Sequence, residues 1–564
     1  MKRFLCLGGV LCQVILWSAC GDVFRPIIIP NPPEFPSPAA AHSIFIASDN
    51  GTVNGGVETP QIGGAMSIDV SGDTDMSQRK LGLVPVHAVQ QTANQIIVAN
   101  QSAPGADQDS LSKVTFSGTT ISTVSTITLP TGSAPNFVAT TETGEVYVSA
   151  PGNVPPVNAS PALLVVDTAR STVTYTVPVG LSPVAVAETP DTKKLYVASV
   201  GDGTIAAFNT GVNGPTLRGV SSQPASAPIW LAARNDSQRV YILEVNGTLA
   251  YLDTTTTSGP DTLYETPISV PGAPNFWYDV ILNRLYIPGQ GLVNGSMVPA
   301  VTIVDVSQAA PAVLAVVAIP SIDVPGVGST PATVIAATSL PDATRAYFGS
   351  YASATSTVTI SSVVGDGTNA TYTYALTSGA SLVAGMGLDI AGLVDSQGNP
   401  LTAFQGPVLI SNVISGTSDC PSTCFQAANT TTLAALAESG TGSSKTVFPQ
   451  VTVFNATSLT FKTNVAIPGF PDATVPSSGF YVPTCSTTRD MIGPTGNGFR
   501  IMMASGGDST RAYLSSCDGG IIDIIRTDTD TYYLNLPAPF SARPPYTGAA
   551  ENPPQSPVFM IAGP

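Results

Sequence analysis

The chain has 564 residues, of which only 10% are charged and 43% are hydrophobic, and it contains 52 Gly and 49 Pro. A single compact core does not grow to this length, so a ring or a solenoid of repeated units is expected. The formal charge of −16 excludes a basic face for nucleic-acid phosphates. Low charge and abundant turn-forming residues indicate many short strands rather than helices.

The first residues predict export and a lipid anchor. Lys2 and Arg3 precede an apolar run, 4–17, that is too short to span a bilayer as a mature helix. Small residues then lead into Cys20. This order resembles a bacterial lipoprotein signal, although Trp17 stands where that signal usually has Leu. We therefore predict a signal peptide at 1–19 and lipidation of Cys20, with an ordinary secretory peptide as the alternative.

A proline-rich segment, 20–41, follows the signal and predicts an extended tether. Because the charge is acidic, membrane attachment through an anionic surface is not expected, whereas a lipid anchor is compatible with it. The predicted location is the bacterial cell envelope, anchored by lipid in the outer membrane. Which side of that membrane carries the protein is left open.

Seven cysteines fit an oxidising compartment. Two lie in the signal and one is Cys20, which leaves an even number for two disulfides; the four are Cys420, Cys424, Cys485 and Cys517. Cys420 and Cys424 could instead form half of a metal site. There is no second such pair and only two His occur in the chain, so we predict no metal site and no cofactor.

Three short elements recur along the chain. The first is an apolar strand after Pro, which begins at positions 85, 135, 183, 228, 274 and 331. The second has the form polar–apolar–Tyr–apolar and begins at 95, 145, 194, 239, 284, 345 and 511, with a variant at 43. The third closes at Asp69, Ser117, Asp167, Asn209, Asp253, Asp305, Asn455 and Asp523. We expect the recurring Asp side chains to cap turns. With a looser fourth strand, such units stack radially as propeller blades.

The stretch 183–210, PVAVAETPDTKKLYVASVGDGTIAAFNT, resembles the YVTN-repeat β-propeller family, which includes lactonase-like and surface-layer proteins. The resemblance covers 41–564 apart from one insertion. It implies an all-β propeller of four-stranded blades. The family usually has seven blades, whereas the strand counts here give eight, and we predict eight with seven as the alternative.

The domain boundaries follow from the repeats. We predict a first propeller part at 42–350, a small inserted all-β domain at 351–446 and a last propeller part at 447–564. The final run, SPVFMIA at 556–562, matches the first strand that is missing before SIFIAS at 43. The two ends of the chain are therefore expected to share one blade and close the ring.

Connections between the second and third strands are long in several units, at 49–64, 101–110, 151–161, 290–300 and 351–446. Those between the first and second strands are short. Because successive strands of a blade are antiparallel, all the long connections are expected on one face of the ring. Variable loops on one face favour binding there.

Propeller lactonases carry a Pro-x-His element near the channel mouth, which Pro85-Val86-His87 matches only in part because the Arg before that His is missing. We therefore predict no catalytic residue. Phe137, Trp230 and Phe276 occupy the position in the first strands of other blades that His87 occupies in its own. We predict that His87 and these three residues form an apolar-aromatic ligand surface at the channel mouth. The predicted function is a non-catalytic envelope lipoprotein that binds an envelope protein or a neutral glycan. The alternatives are a lactonase-like hydrolase at the channel mouth and a structural envelope or surface-layer component.

Overall fold

The computed structural model describes residues 42–564, apart from 55–56, 60, 102–108, 141–143, 153–158, 212, 220–221, 418–419, 421, 435–436, 472–499, 540, 542–547, 551 and 564. The predicted signal, Cys20, the tether and Cys485 therefore lie outside the described residues. Within the described part, no helix is long and apolar enough to cross a membrane.

The first half of the described chain contains strands only. In chain order they are β1 (Ser43–Asp49), β2 (Thr52–Asn54), β3 (Val57–Thr59), β4 (Ile62–Asp69), β5 (Thr74–Leu83), β6 (Pro85–Thr92), β7 (Gln95–Asn100), β8 (Ser110–Ser117), β9 (Thr120–Thr128), β10 (Phe137–Ala139), β11 (Glu145–Ala150), β12 (Ala162–Asp167), β13 (Thr172–Pro178), β14 (Pro183–Glu188), β15 (Lys194–Ser199), β16 (Thr204–Asn209), β17 (Thr216–Leu217), β18 (Pro228–Ala233), β19 (Arg239–Glu244), β20 (Thr248–Asp253) and β21 (Thr262–Ser269).

The second half adds one short 3-10 helix, Thr402–Phe404, to a further series of strands. These are β22 (Trp277–Asp279), β23 (Arg284–Val293), β24 (Ser296–Asp305), β25 (Ala312–Ala318), β26 (Ile322–Val324), β27 (Gly328–Thr330), β28 (Thr333–Ser339), β29 (Arg345–Asp366), β30 (Asn369–Gly379), β31 (Gly387–Asp395), β32 (Gly406–Ser415), β33 (Thr423–Ala428), β34 (Thr432–Leu433), β35 (Ala437–Asn455), β36 (Thr460–Ala466), β37 (Phe470–Pro471), β38 (Ile501–Ser505), β39 (Arg511–Ser516), β40 (Ile521–Arg526), β41 (Thr531–Pro537) and β42 (Ser556–Gly563).

The strands form the blades of a β-propeller. Among the described residues, seven separate four-stranded antiparallel sheets occur, and β28-β29-β35-β36 repeats the same pattern inside a larger sheet. This agrees with the predicted count of eight. Blade 1 consists of β42, β1, β4 and β5, so the last strand of the chain pairs with the first, from Ser43 opposite Gly563 to Asp49 opposite Ser556. The ring closes as the sequence predicts.

In several blades the polar–apolar–Tyr–apolar element joins the blade to the next one. Five of the largest fully buried side chains are its tyrosines, Tyr196, Tyr241, Tyr286, Tyr347 and Tyr513. The Tyr196 hydroxyl donates to Asp261 at 2.8 Å, and the Tyr347 hydroxyl donates to Asp530 at 2.8 Å, in both cases in the following blade.

The basic residue that opens the same element reinforces this contact. Lys194 pairs with Asp261 at 2.9 Å, and Arg511 pairs across the ring closure with Asp73 at 2.8 Å. Buried charges are stable only when they are paired and hydrogen-bonded. The repeated motif therefore specifies the packing of one blade on another, which explains why it recurs.

The recurring acid at the end of the third strand caps a turn, as expected. Asp167 accepts the amide of Ala169 at 2.9 Å, and Asp305 accepts the amide of Ser307 at 2.8 Å. The same prediction is wrong for Asp523. Strand β40 continues to Arg526, so Asp523 lies in mid-strand and is fully buried.

The insertion is a closed six-stranded β-barrel that grows out of blade 7. Strand β29 extends to Asp366 and pairs with β35 from Arg345 opposite Asn455 to Ile360 opposite Gly440. Pairings then run β29-β30-β33-β32-β31-β35 and return to β29. Val358 and Leu388 fill the barrel core beside Gly442, where an added Cβ would lie 2.8 Å from Leu388. The insertion is thus continuous with the blade through its first and last strands.

Two contacts hold the barrel against connections between blades. The Ser381 amide donates to the carbonyl of Pro325 at 2.7 Å, and the Thr430 amide donates to the carbonyl of Gly548 at 3.0 Å. Cys420, in the β32–β33 connection of the barrel, forms a disulfide with Cys424 in β33. Cys517 is buried and disulfide-bonded as well.

Candidate functional site

The inner strands of the blades line a central channel that holds two cavities. One, of about 280 Å³, is lined by residues of blades 2 to 6, including His87, Phe137 and Glu188. The other, of about 120 Å³, is lined by residues of blades 5 to 8 and blade 1, including Trp230 and Phe276. Both are mostly apolar because the inner strands consist largely of Val, Ala, Ile, Met and aromatic residues.

His87 is part of an aromatic row. Its ring stacks on Phe137 with centroids 3.8 Å apart and lies 4.2 Å from the ring of Phe559. Phe137 in turn meets Trp230 edge-on at 5.7 Å. The Val138 amide donates to Nδ1 of His87 at 3.4 Å. Burial lowers the pKa of His87 to about 3, so the imidazole is neutral near pH 7, with its hydrogen on Nε2.

The four predicted ligand residues therefore come together only in part, and not as an open surface. Three of them form the row, and Phe276 lines the second cavity with Trp230. His87, Phe137 and Phe276 are only 5%, 6% and 4% exposed. The rings do not form a wide exposed surface, because they pack against side chains of neighbouring inner strands. That these four residues bind a ligand stays a prediction.

The polar groups of the larger cavity are engaged with the protein itself. The Tyr278 hydroxyl accepts the Asn235 amide at 3.3 Å and donates to Asn283 at 3.1 Å. Burial, followed by the nearby Glu188 carboxyl, raises the pKa of Tyr147. These contacts tie the ends of the inner strands to one another.

Long connections are concentrated on one face of the ring. Between the second and third strands, blade 1 adds the β2–β3 hairpin, blade 6 extends β23 and β24 beyond the sheet, and blade 7 carries the barrel. The β26–β27 hairpin, between two blades, lies on the same face because connections from the fourth strand to the next first strand open there.

The barrel presents a surface of hydroxyl groups, which we call the hydroxyl face, and Asp389 borders it opposite Ser443. It consists of the exposed residues Thr357, Thr359, Thr377, Ser378, Thr441 and Ser443. Thr357 lies opposite Ser443 on one side and Ser378 on the other, and Thr359 lies opposite Thr441. The hydroxyls of Thr359 and Thr377 are 3.2 Å apart. The alternating Thr and Ser in these strands are the sequence signal that could have located this face.

No protein-family model and no curated protein matches the chain. Its fold is a β-propeller. Many solved structures are similar to it, among them a proposed 6-phosphogluconolactonase from Bacteroides uniformis, with 12% identity over 55% of this chain and 91% of that one, at a TM-score of 0.39. A second, from Bacteroides fragilis, shows 13% identity over 54% and 87%, at 0.38. A functionally unknown protein from Desulfotomaculum acetoxidans shows 9% identity over 91% and 100%, at 0.39.

Proposed function

We propose that this propeller is a non-catalytic binding protein of a bacterial cell envelope, anchored through lipidated Cys20, and that its ligand is a neutral glycan. The glycan binds on the face that carries the barrel. The observation that carries the proposal is the hydroxyl face, because its exposed side chains are uncharged hydrogen-bonding groups matched to sugar hydroxyls. The YVTN-like repeats supply the rigid support for that face.

The contacts of His87 support binding rather than lactone hydrolysis. A general base must reach the proton that it removes and must have a pKa near the working pH. The Nδ1 atom of His87 already accepts a backbone amide, and burial lowers its pKa to about 3. A packing role between Phe137 and Phe559 accounts for its position.

Native gels that contain dextran, mannan or laminarin test the proposal. We expect at least one of these neutral polysaccharides to retard the full-length protein. The double variant Thr359→Glu, Thr441→Glu should lose the retardation, because two charges would be placed among the hydroxyls. The matched control, Thr123→Glu with Thr126→Glu, changes exposed residues on the outer strand of blade 2 and should bind as the parent does.

Two results would contradict the proposal. One is that the parent protein migrates equally in gels with and without each polysaccharide. The ligand would then be an envelope protein and not a neutral glycan. The other is hydrolysis of glucono-δ-lactone that disappears with His87→Ala, which supports the lactonase-like alternative. The anchor is tested separately, since Cys20→Ser should leave the membrane fraction if Cys20 carries the lipid.

A further inference from the structure

The first strand of blade 6 is shifted by one residue relative to those of blades 2 to 5. In those blades the fifth residue from the opening Pro pairs with the third residue of the next strand, where the motif Tyr usually stands. In blade 6, which opens at Pro274, the fourth residue, Trp277, pairs with Tyr286. The residues paired at this point in the other described blades are small or aliphatic, namely Val89, Ala139, Ala187, Ala232, Thr338, Ala504 and Ile561.

The shift brings Trp277 and Asn275 together at the wall of the channel. Side chains alternate along a strand, so Asn275 lies on the same side as Trp277, and both line the smaller cavity. Trp277 is 37% exposed, whereas Phe276 between them is buried. In the other described blades the position of Asn275 is apolar or aromatic, with His87, Phe137, Ala185, Trp230, Ala336, Met502 and Phe559.

The side-chain amide of Asn275 has no hydrogen-bond partner among the described residues. The same sequence, Ala-Pro-Asn-Phe, occurs in blade 3, where Asn136 donates to the carbonyl of Pro183 at 3.0 Å. The amide therefore joins two blades in that repeat and stays open to the cavity in blade 6. The indole of Trp277 is held in place, because its Nε1–H donates to the hydroxyl of Ser339 at 3.0 Å.

The cavity beside these two residues suits a single aromatic ring. Its volume is about 120 Å³, close to that of the apolar cavity of roughly 150 Å³ that takes up benzene. Its walls include the rings of Trp230, Trp277 and Phe559, together with the side chains of Ile501 and Met502. None of the residues that line it is ionisable, so a charged ligand would lose its hydration without gaining a partner of opposite charge.

We propose that this cavity binds an uncharged monocyclic aromatic compound that carries one hydroxyl or amide group. The ring of the ligand packs against Trp277 and Trp230, because pairs of aromatic rings attract one another beyond the effect of the area that they bury. The polar group of the ligand bonds to the amide of Asn275, which both donates and accepts hydrogen bonds. The site lies in the channel and not on the hydroxyl face, so it takes a different ligand from the proposed glycan.

Intrinsic fluorescence of the full-length protein, with phenol and benzamide as the probes, gives the first test. The two Trp residues of the described chain, Trp230 and Trp277, both line the cavity, so their emission reports directly on a bound ring. At least one probe at millimolar concentration should change the emission in a saturable way. Cyclohexanol has a similar size and the same hydroxyl group but no aromatic ring, and it should bind more weakly than phenol.

Calorimetric titration of full-length variants tests the two residues separately. Trp277→Ala should weaken the binding of the probe by about tenfold, because a wall of the cavity is lost. Asn275→Leu keeps the size of the side chain and should weaken binding by roughly two- to tenfold, the effect of one hydrogen bond. Phe461→Ala removes an exposed ring from the outer strand β36 and should bind as the parent does.

The melting temperature of each variant shows that it is folded before it is titrated. Three results would overturn the proposal. The parent protein binds neither probe in a saturable way, cyclohexanol binds as tightly as phenol, or folded Trp277→Ala keeps the affinity of the parent.

Discussion

The carboxyl group of Asp523 is buried in apolar surroundings. It lies in the middle of β40 with no exposed surface, and neither carboxylate oxygen has a hydrogen-bond partner among the described residues. The two residues on each side of it in the strand are isoleucine. Burial raises the pKa of Asp523 well above its usual range, because removal from water disfavours the charged form.

This burial makes stability depend on pH. In the unfolded chain the carboxyl ionises at about pH 4, whereas the folded chain keeps its proton until the pH reaches the raised pKa. Between those two values the folded state therefore loses stability as the pH rises, by ~1.4 kcal/mol per pH unit. Asp523→Asn removes the ionisation, so the melting temperature of the variant should exceed that of the parent at pH 7.5.

The comparison at low pH identifies the cause. Below pH 4 both side chains are neutral, and the gap between the two melting temperatures should close. The control is Asp323→Asn, at an exposed position in β26, which should not produce a gap that grows with pH. If Asp523→Asn destabilises the protein equally at pH 4 and pH 7.5, the carboxyl has a role that depends on its shape and not on its proton.

At the scale of elements, the strand that carries the Tyr motif determines how one blade meets the next. Tyr347 in blade 7 reaches Asp530 in blade 8, and Arg345 and Lys462 pair with the same carboxylate. Asp530 is almost fully buried. The loss of any one of these donors would therefore leave its negative charge less well compensated. The motif thus serves an energetic role at every blade interface where the contact forms.

Tyr347→Phe should lower the free energy of unfolding by about 1.5–3 kcal/mol, the usual effect of losing a hydrogen bond to a charged group. Thermal or urea unfolding measures the loss. Tyr533→Phe is the control, because that ring is 47% exposed on an outer strand and its hydroxyl should contribute less than about 0.5 kcal/mol. Equal effects of the two changes would show that the buried hydroxyl does not join the blades.

The same elements show what the sequence could and could not predict. The repeat count, the strand that closes the ring and the barrel strands follow from local patterns, because alternation and turn residues are properties of adjacent positions. The pattern predicts a strand end at Asp523 because other blades have a capping acid near that position, whereas β40 continues to Arg526. The burial of Asp523 depends on packing between strands, which the local pattern does not contain. The channel rings were expected to be exposed for a similar reason, since contacts such as His87 with Phe559 join residues far apart in the chain.

At the scale of the molecule, closure by β42 makes the eight blades one structure. Strand β42 supplies the innermost strand of blade 1, and its Val558, Phe559 and Met560 are buried. Without it, the buried strand β1 would become an edge inside the ring. The stability of every blade therefore depends on a pairing between the two ends of the described chain.

A disulfide across that pairing should stabilise the whole ring. Ser43 lies opposite Gly563, and a Cβ built on Gly563 would be 2.5 Å from Oγ of Ser43, so Ser43→Cys with Gly563→Cys brings the two thiols into bonding range. The bond would close a loop from 43 to 563, for which the chain-entropy model gives roughly 6 kcal/mol as an upper figure. The oxidised double variant should melt at a higher temperature than either single-cysteine variant, with one cooperative transition. If the bond forms and the melting temperature does not rise, the ends of the chain already separate before the blades unfold, and closure by β42 does not limit the stability of the ring.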